Sequence, residues 1–197
     1  GDHRDLHSFP TRRSSDLHTS GVKMDDLHIT EFTGDDWEAY KALRLASLED
    51  SPDAFGSTLH RELAFTESVW RSRLTPSDNP VHILPLVALS NGKAIGLATG
   101  AVHSYQDETA HIYQMWVAKP YRGIGIAKDF LDRIEAWANE LELTSLSLAV
   151  TTSNAGAVWL YQSAGFVPSG HTEPLRENSN LSVQPMVLTL TSDKAKH

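Results

Sequence analysis

Two glycines at the start of a predicted helix form the segment of this sequence best suited to bind a ligand. Residues 115–130 read MWVAKPYRGIGIAKDF, a pattern that predicts the end of a strand, a turn through Pro120 and then an amphipathic helix. Gly123 and Gly125 would let backbone amides approach a ligand, and the helix N-terminus adds unpaired N–H groups and the positive end of its dipole. The combination predicts an anion site, and the expected ligand carries phosphate.

Two common phosphate-binding loops do not fit this segment. A dinucleotide-binding fingerprint needs a third glycine where this chain has Lys128, and a Walker loop needs Gly-Lys-Ser or Gly-Lys-Thr after the second glycine. The segment instead resembles the R/Q-x-x-G-x-G/A loop with which the GNAT superfamily of N-acetyltransferases binds the diphosphate of acetyl-CoA. Arg122, Gly125 and Ala127 occupy the pattern positions. For this segment alone, a helix with a glycine-rich N-terminus and no ligand is the alternative.

A second segment resembles the same superfamily. Residues 154–166 read NAGAVWLYQSAGF, which is similar to the superfamily run N-x-x-A-x-x-L-Y-x-x-x-G-F. The matching residues are Asn154, Ala157, Leu160, Tyr161, Gly165 and Phe166. Two independent motifs in the family's order are far more specific than either one, and the resemblance covers roughly residues 27–190.

The resemblance implies a role for each matched position. The backbone of Met115 and Val117 is expected to pair with the pantetheine arm and to polarise the thioester carbonyl, which leaves the Trp116 side chain for packing. The expected cofactor-binding residues are Met115, Trp116, Val117, Arg122, Gly123, Ile124, Gly125, Ile126, Ala127, Asn154 and Ala157. The implied co-substrate is acetyl-CoA, and no metal is expected.

Tyr161 is the general acid that the resemblance implies. In the superfamily motif the tyrosine lies near the sulfur of CoA, where its hydroxyl can protonate the departing thiolate. A phenol with a pKa near 10 is suited to this role because it keeps its proton at neutral pH. A tyrosine that only packs in the core is the alternative. Asn154 suits the N-cap of its helix as well as a cofactor contact.

The general base departs from the family pattern. Six residues before Val117, where GNAT members often carry a glutamate, this chain has His111, and an imidazole with a pKa near 6.5 is a chemically reasonable replacement. Alternation along a strand predicts that His111 shares a face with Tyr113, Met115 and Val117. His103, Glu31 and a chain of water molecules remain alternatives for the base.

The elements that must position these residues follow the order βααβββαβαββ. In chain order they are a strand over 27–32, two helices between 36 and 74, strands over 81–90, 94–103 and 109–117, a helix from 126, a strand over 144–150, a helix from 154 and strands from 166 and over 183–190. This order predicts an α+β fold with one mixed, mostly antiparallel, GNAT-like sheet flanked by helices. By resemblance, the first two helices line the acceptor side of a cleft.

Short signals refine this outline. Asn91-Gly92 is the strongest short hairpin signal in the chain, and Pro85 suggests an edge position or a bulge in its strand. Most of the large aromatic residues of the helical pair are expected to pack in the core rather than line a pocket: Trp37, Tyr40, Phe55 and Trp70.

Composition limits the classes of function. The chain has 197 residues, 40% of them hydrophobic, which suits one domain with a proper core. It contains no cysteine, which excludes disulfides, thiol chemistry and cysteine-ligated metals and fits a cytoplasmic protein. The net charge of −8 argues against nucleic acid as a partner and favours cationic small molecules or basic peptide ends. No apolar run approaches the roughly 18 residues of a membrane span.

The ends of the chain differ from its middle. Residues 1–23 are polar and without a sustained period, and residues 7–17 resemble one reading frame of a DNA-sequencing adapter. They are expected to be a leader without function, followed by an acetyltransferase domain over 24–192 and a polar tail over 193–197.

These observations predict an acetyl-CoA-dependent N-acetyltransferase that acts by direct attack of an amine. The expected acceptor is a primary amine of a small molecule or peptide, with no nucleic acid or membrane as partner and with room for a homodimer. A non-catalytic module that binds acetyl-CoA or another acyl-CoA is the alternative. A dehydrogenase-like domain would need a parallel βαβ series, which the hairpin-rich order speaks against.

Overall fold

Alternating apolar residues on the strands divide the chain between two cores, one on each face of a central sheet. The structure, a computed structural model, describes residues 26–191. The expected leader (1–23) and polar tail (193–197) lie outside this range. Within the described range, no helix has both the length and the apolar character that crossing a membrane requires.

The chain forms eight strands and five helices in the described range. The strands are β1 (Leu27–Glu31), β2 (His82–Ser90), β3 (Lys93–Val102), β4 (Thr109–Val117), β5 (Ser145–Thr151), β6 (Val167–Pro168), β7 (Glu173–Pro174) and β8 (Ser182–Thr189). The helices are α1 (Trp37–Asp50), α2 (Leu59–Leu63), α3 (Glu67–Ser72), α4 (Ile126–Glu140) and α5 (Ala155–Ser163). Short 3₁₀ turns occur at Gly34–Asp36, Pro52–Ala54 and Lys119–Tyr121.

All eight strands belong to one sheet with the order β1-β2-β3-β4-β5-β8-β6, and β7 pairs with β8. The β4–β5 pair is parallel and every other pair is antiparallel. The α+β prediction with a mostly antiparallel sheet is therefore confirmed. The predicted helical pair is instead three helices, because the second helical stretch breaks between Leu63 and Glu67. The two-residue strand β7 was not predicted.

The β2–β3 hairpin has the turn that its sequence predicts. Asn91 and Gly92 have φ of 49° and 80°, the positive values that a tight two-residue hairpin turn requires. The edge position predicted for Pro85 is confirmed only locally, because β2 as a whole lies between β1 and β3. The β1 ladder ends at Leu86, and only the Pro85 carbonyl is used beyond it, as acceptor for Phe32 N–H at 2.8 Å. A missing N–H is therefore tolerated at this position.

The two cores explain where the helices lie. One core packs α4 and α5 against the sheet, and Phe130 and Ile134 of α4 are completely buried there. The other core packs α1 and α3 against the opposite face around Tyr40 and Trp70, which are 2% and 0% exposed. Helices cover both faces of this mixed sheet, which is expected because β2 and β3 are apolar along their whole length.

The sheet opens between β4 and β5. The two strands pair through three positions only, and the last pair joins His111 to Ser147. Beyond this point β5 continues to pair with β8, and β4 continues to pair with β3. The facing edges of β4 and β5 therefore have no strand partner on that side. A parallel pair that separates in this way leaves backbone groups available to a ligand.

A β-bulge in β4 reverses the face on which its side chains lie. The β3–β4 register shifts by one residue between Leu97 and Thr99, and Gln114 has a φ of 60°. Ile112 and Val117 consequently lie in the same core despite their odd separation. The prediction that His111 shares a face with Met115 and Val117 is wrong, because a bulge interrupts alternation.

Candidate active site

The free edge of β4 presents the backbone of Met115 and Val117 to the opening in the sheet. Ala118 N–H donates to Ile95 of β3 at 2.8 Å, and Trp116 is in register with Leu97. Because successive residues of a strand direct their backbone groups to opposite sides, Met115 and Val117 direct theirs toward β5. This places both predicted backbone positions on the edge that lacks a strand partner.

The loop between β4 and α4 concentrates free backbone N–H groups. None of the N–H groups of residues 123–128 has an acceptor within the described part of the chain. Gly123 and Gly125 have φ of 80° and 95°, and a Cβ at either position would meet no atom within 4 Å. Consecutive N–H groups of this kind, at the N-terminus of a 15-residue helix, form a concave anion-binding surface.

Arg122 connects this loop to the opposite helix group. Its Nε donates to the Val117 carbonyl at 2.8 Å, and its Nη2 donates to the Asp50 carboxylate at 2.6 Å. Trp116 Nε1 donates to the same carboxylate oxygen at 3.1 Å. Hydrogen bonds from Ser51, Trp116 and Arg122 lower the pKa of Asp50 to about 2. The predicted diphosphate-binding guanidinium therefore already has a carboxylate partner, at the C-terminus of α1.

Asn154 caps helix α5, as its sequence position predicts. Its side-chain oxygen accepts from the Ala157 N–H at 3.2 Å, which satisfies one of the unpaired donors of the helix start. The Ala157 N–H is consequently used within the protein. The Asn154 side-chain nitrogen has no acceptor within residues 26–191.

Tyr161 is buried beneath the opening. The residue is 7% exposed and packs edge-to-face with Phe166, at a centroid distance of 5.9 Å. Burial raises the pKa of its hydroxyl to about 12. No group in the described part of the chain hydrogen-bonds this hydroxyl, although the residue lines the cleft described next. The predicted acid thus carries its proton at neutral pH and has no internal partner for it.

A cleft of about 640 Å³ lies at the opening in the sheet, and its lining includes neither residues 122–128 nor Asn154. Tyr161 and Met115 line it on the α5 side, and residues of α1, β3 and β4 line it on the other. The polar and charged side chains on its walls are Arg44, Ser57, Arg73, Thr99, His103, His111, Tyr113, Gln114, Ser147 and Tyr161. No aspartate or glutamate of residues 26–191 lines it.

His103 is held by two hydrogen bonds. Its Nδ1 lies 2.7 Å from Asn79 Oδ1, and its Nε2 lies 2.8 Å from the Tyr113 hydroxyl. Because a carbonyl oxygen can only accept, Nδ1 carries a hydrogen and donates it to Asn79 Oδ1. Both nitrogens of His103 are therefore occupied.

His111 is the imidazole with free nitrogens. Its ring stacks on Tyr113 at 6.1 Å and lies 5.2 Å from His103, and neither nitrogen has a hydrogen-bond partner in the described chain. Burial and the neighbouring His103 lower the pKa of His111, against an opposing effect of Asp107. Of the other candidates for the base, Glu31 is exposed at the end of β1 and does not line the cleft. The structure brings His111 and Tyr161 to the same cleft and leaves Glu31 outside it.

A buried ion cluster lies at the α1 end of the cleft. The Glu62 carboxylate accepts from Arg44 through Nε and Nη2 at 3.0 Å each, and from Arg73 through Nη1 and Nη2 at 3.2 and 3.3 Å. Glu62 is completely buried and Arg44 is 3% exposed. Burial alone would raise the pKa of Glu62, but the hydrogen bonds and charges of the two arginines outweigh it and hold this pKa below its usual value. Both arginines line the cleft.

Gln114 joins the same region through Tyr40. The Tyr40 hydroxyl donates to Gln114 Oε1 at 2.8 Å, and both residues are held inside the fold by the packing of α1 against β4. The bulge directs the Gln114 side chain to this position.

The charged and bulged residues of the cleft were not predicted from the sequence. A signal existed for Arg44, which lies on the buried face of α1 together with Tyr40, Leu43, Ser47 and Leu48, where an arginine is out of place unless it is paired. Gln114 offers no such signal, since glutamine has no special tendency to form a bulge. Tyr40 and Trp70 are core residues, as predicted, whereas Phe55 is buried and also lines the cleft.

Comparison with known proteins decides the family. The sequence model of the acetyltransferase (GNAT) family matches residues 41–166, which is more than half of the chain and includes the loop, the opening and Tyr161. The chain belongs to the GNAT acetyltransferase family. A curated relative, the uncharacterized N-acetyltransferase YycN from Bacillus subtilis (strain 168), is 32% identical over 90 residues, which are 45% of this chain and 58% of that protein. The chain thus spans a little more than half the length of this relative.

Solved GNAT structures have the same fold. An acetyltransferase of the GNAT family from Streptococcus pneumoniae is 25% identical, with a TM-score of 0.67 over 84% of this chain and 100% of that one. The spermidine N-acetyltransferase from Vibrio cholerae, solved with CoA and spermine, is 22% identical, with a TM-score of 0.67 over 84% and 96% of the two chains. At this identity the second likeness shows the fold alone.

Membership in the GNAT family explains why a sheet would keep an opening in its centre. Fold stability alone favours continuous pairing of buried strands, because unpaired backbone groups are costly. In this GNAT chain Met115, at the free edge of β4, and Tyr161 both line the cleft, and the loop with the free N–H groups of residues 123–128 follows the end of β4. Among the described residues no cluster of three His, Asp or Glu side chains is suited to hold a metal ion.

Proposed function

We propose that this protein transfers the acetyl group of acetyl-CoA to a primary amine of a small molecule or peptide by direct attack. The observation that carries the proposal is a cleft lined by an unpaired strand edge and a buried tyrosine, with a loop of free backbone N–H groups following the end of that strand. A diphosphate, an extended amide-containing arm and a thioester are the chemical groups that these three features fit. The fold is shared with an enzyme solved in complex with CoA.

The residues divide the binding of acetyl-CoA between them. The N–H groups of residues 123–128, with the guanidinium of Arg122, would hold the diphosphate. The backbone of Met115 and Val117 would pair with the pantetheine arm as an additional strand does, and an N–H group there would donate to the carbonyl oxygen as it gains negative charge. When bound, acetyl-CoA supplies the activated acetyl group as a thioester.

The transfer itself requires two proton movements. A neutral amine nitrogen forms the new bond to the carbonyl carbon, and the bond from that carbon to sulfur breaks. His111 accepts the proton that the amine nitrogen loses, because its ring nitrogens are free and its lowered pKa keeps it neutral. Tyr161 gives its hydroxyl proton to the departing thiolate, and water restores that proton afterwards.

Incubation with acetyl-CoA and a panel of primary amines tests the proposal. Thiol release should depend on the amine, and mass spectrometry should find one acetyl group added to that amine. CoA binding without amine-dependent thiol release from any member of a broad panel would overturn the proposal in favour of a non-catalytic acyl-CoA-binding module.

A further inference from the structure

We propose that the amine accepted by this protein carries a carboxylate, which Arg44, Arg73 and Gln114 bind at the α1 end of the cleft. The inference rests on the proposed acetyltransferase function and adds the class of its acceptor. It follows from the charge balance, the free hydrogen-bond donors and the lining of the cleft.

The charge balance of the ion cluster leaves one positive charge over. Two guanidinium groups share the carboxylate of Glu62, and no other carboxylate in the described chain lies within ion-pair distance of Arg44 or Arg73. An uncompensated charge is costly in a buried site. A ligand with one negative charge would neutralise the cluster, and a carboxylate carries one whereas a phosphate carries more.

The donors of the cluster are also incompletely used. Arg44 Nη1 is buried and has no hydrogen-bond partner in the described chain, while Arg44 as a whole is 3% exposed and lines the cleft. The Phe55 ring covers one face of the Arg44 guanidinium, with 4.5 Å between the ring centroid and the guanidinium carbon. This contact leaves the edge of the guanidinium for hydrogen bonds. A planar guanidinium edge matches the two oxygens of a carboxylate.

Gln114 supplies further donors beside the arginines. Its Oε1 already accepts from Tyr40, so its amide nitrogen is the group left for a ligand, and no acceptor in the described chain takes its hydrogens. The residue is held at a φ of 60°, a strained value for a side chain of this kind that tends to persist at functional sites. Two guanidinium groups and one amide donor on the same cleft form an oxyanion-binding set.

The rest of the cleft is unsuited to a polycation. Its walls carry two arginines and two histidines and no aspartate or glutamate of the described chain. A polyamine would bring several positive charges into this site with no carboxylate to receive them. The side chains that line the cleft are thus positively charged, although the chain as a whole has a net charge of −8. That net charge had favoured cationic acceptors.

Matched pairs of amines test the charge requirement. Each pair consists of an amino acid and the amine left when its carboxylate is lost: phenylalanine with phenethylamine, lysine with cadaverine, and ω-amino acids of increasing length with the corresponding alkylamines. The carboxylated member of at least one pair should have a kcat/KM about 10- to 100-fold higher, as expected for hydrogen bonds to a charged group. The length at which the preference is greatest would measure the distance from the reacting nitrogen to the arginines.

Two substitutions separate carboxylate binding from folding. Arg73→Met removes the surplus charge but leaves the neutral pair of Arg44 and Glu62, so the fold should persist. Gln114→Glu keeps an acceptor for Tyr40 and places a negative charge against the ligand. Each should raise the KM of the carboxylated amine about 10-fold or more, without raising the KM of its decarboxylated partner. Arg71→Met is the matched control, because Arg71 lies in α3, two residues before Arg73, but pairs with Glu67 outside the cleft.

The outcomes distinguish this inference from the proposed function. Equal or better turnover of the decarboxylated amines would overturn the carboxylate site while confirming an acetyltransferase. A preference for amines that carry phosphate over those that carry carboxylate would also overturn it. If no amine is acetylated, calorimetry with N-acetylphenylalanine and N-acetylphenethylamine on the CoA-bound protein still decides: tighter binding of the carboxylate supports the site, and equal binding overturns it.

Discussion

The two sides of the cleft are built from different parts of the polypeptide. The side that we propose for the cofactor consists mainly of backbone groups, namely the edge at Met115 and Val117 and the N–H groups of residues 123–128. The side that we propose for the acceptor consists of side chains, with Arg44, Arg73 and His111 contributed by different elements. A backbone site tolerates changes of side chain as long as the local conformation is kept, whereas a side-chain site changes its ligand with single substitutions. Under the proposed function, one fold keeps its acetyl donor while single substitutions change its acceptor.

Tyr161→Phe is expected to have the largest effect, because this residue serves the reaction where the two sides meet. The change removes one hydroxyl and keeps the ring in its buried position. Turnover should fall within the roughly 10²- to 10⁴-fold range of general acid–base groups, while CoA affinity stays the same. The checks are steady-state thiol release and calorimetry. Full activity in the variant would show that Tyr161 is not the general acid.

Gly125→Val tests whether the cofactor side depends on backbone conformation. A Cβ at Gly125 would meet no neighbour within 4 Å, so no clash with the protein itself is expected. Valine is instead incompatible with a φ of 95°, and the loop would have to turn its N–H groups away. CoA affinity, measured by calorimetry, should fall about 10- to 100-fold, as for lost hydrogen bonds to a charged group.

Gly92→Val is the control for this change. Gly92 has a φ of 80° and equally open surroundings, but it lies in the β2–β3 turn. Its variant should lose thermal stability and keep the CoA affinity of the parent protein. A parallel loss of CoA affinity in both variants would show that general destabilisation, and not the loop, is responsible.

Arg122→Ala and Asp50→Asn test the one side chain on which the cofactor side relies. Removal of the guanidinium should weaken CoA binding by about 1.5–3 kcal/mol, the range for hydrogen bonds to charged groups. Asp50→Asn removes the negative charge that now holds Arg122, and should leave CoA binding unchanged or tighter. Calorimetry at one fixed salt concentration compares the two variants with the parent. Equal affinity in the Arg122 variant would assign diphosphate binding to the backbone alone.

The pH dependence of turnover tests the acceptor side with the smallest expected change. Burial and His103 lower the pKa of His111, so the neutral base persists to lower pH than a free imidazole would. The rate should therefore fall only as the pH drops below the usual value near 6.5. His111→Gln should abolish this acidic limb, whereas His82→Gln, outside the cleft, should keep it. An unchanged limb in the His111 variant would assign the base to another group.

The difference between a site built from backbone groups and one built from side chains also decides how much could be predicted from the sequence. The cofactor side is formed by contiguous residues, so its glycines, its helix start and Tyr161 stand at fixed spacings that a sequence displays directly. The opening between β4 and β5 was not predicted, because local pattern does not determine where two paired strands separate. The resemblance implied only that the backbone of Met115 and Val117 pairs with the pantetheine arm. Helix α4 was predicted well, since its apolar stripe has a clear helical period.

The acceptor side could not be predicted in this way. Arg44, Glu62 and Arg73 come from separate helices and meet only in the folded chain. The bulge at Gln114 changes the faces of β4 without any proline or glycine to mark it. Strand alternation therefore placed His111 on the wrong face, although the residue itself was a correct candidate for the cleft.

The initial-rate pattern tests most directly whether both sides act at once. In direct transfer, acetyl-CoA and amine occupy the cleft together, and the described chain contains no cysteine to carry an acetyl group between them. Initial rates measured while both concentrations are varied should give double-reciprocal lines that intersect. Parallel lines, with CoA released before the amine binds and an acetylated protein detectable by mass spectrometry, would mean a covalent intermediate and would contradict direct attack in the shared cleft.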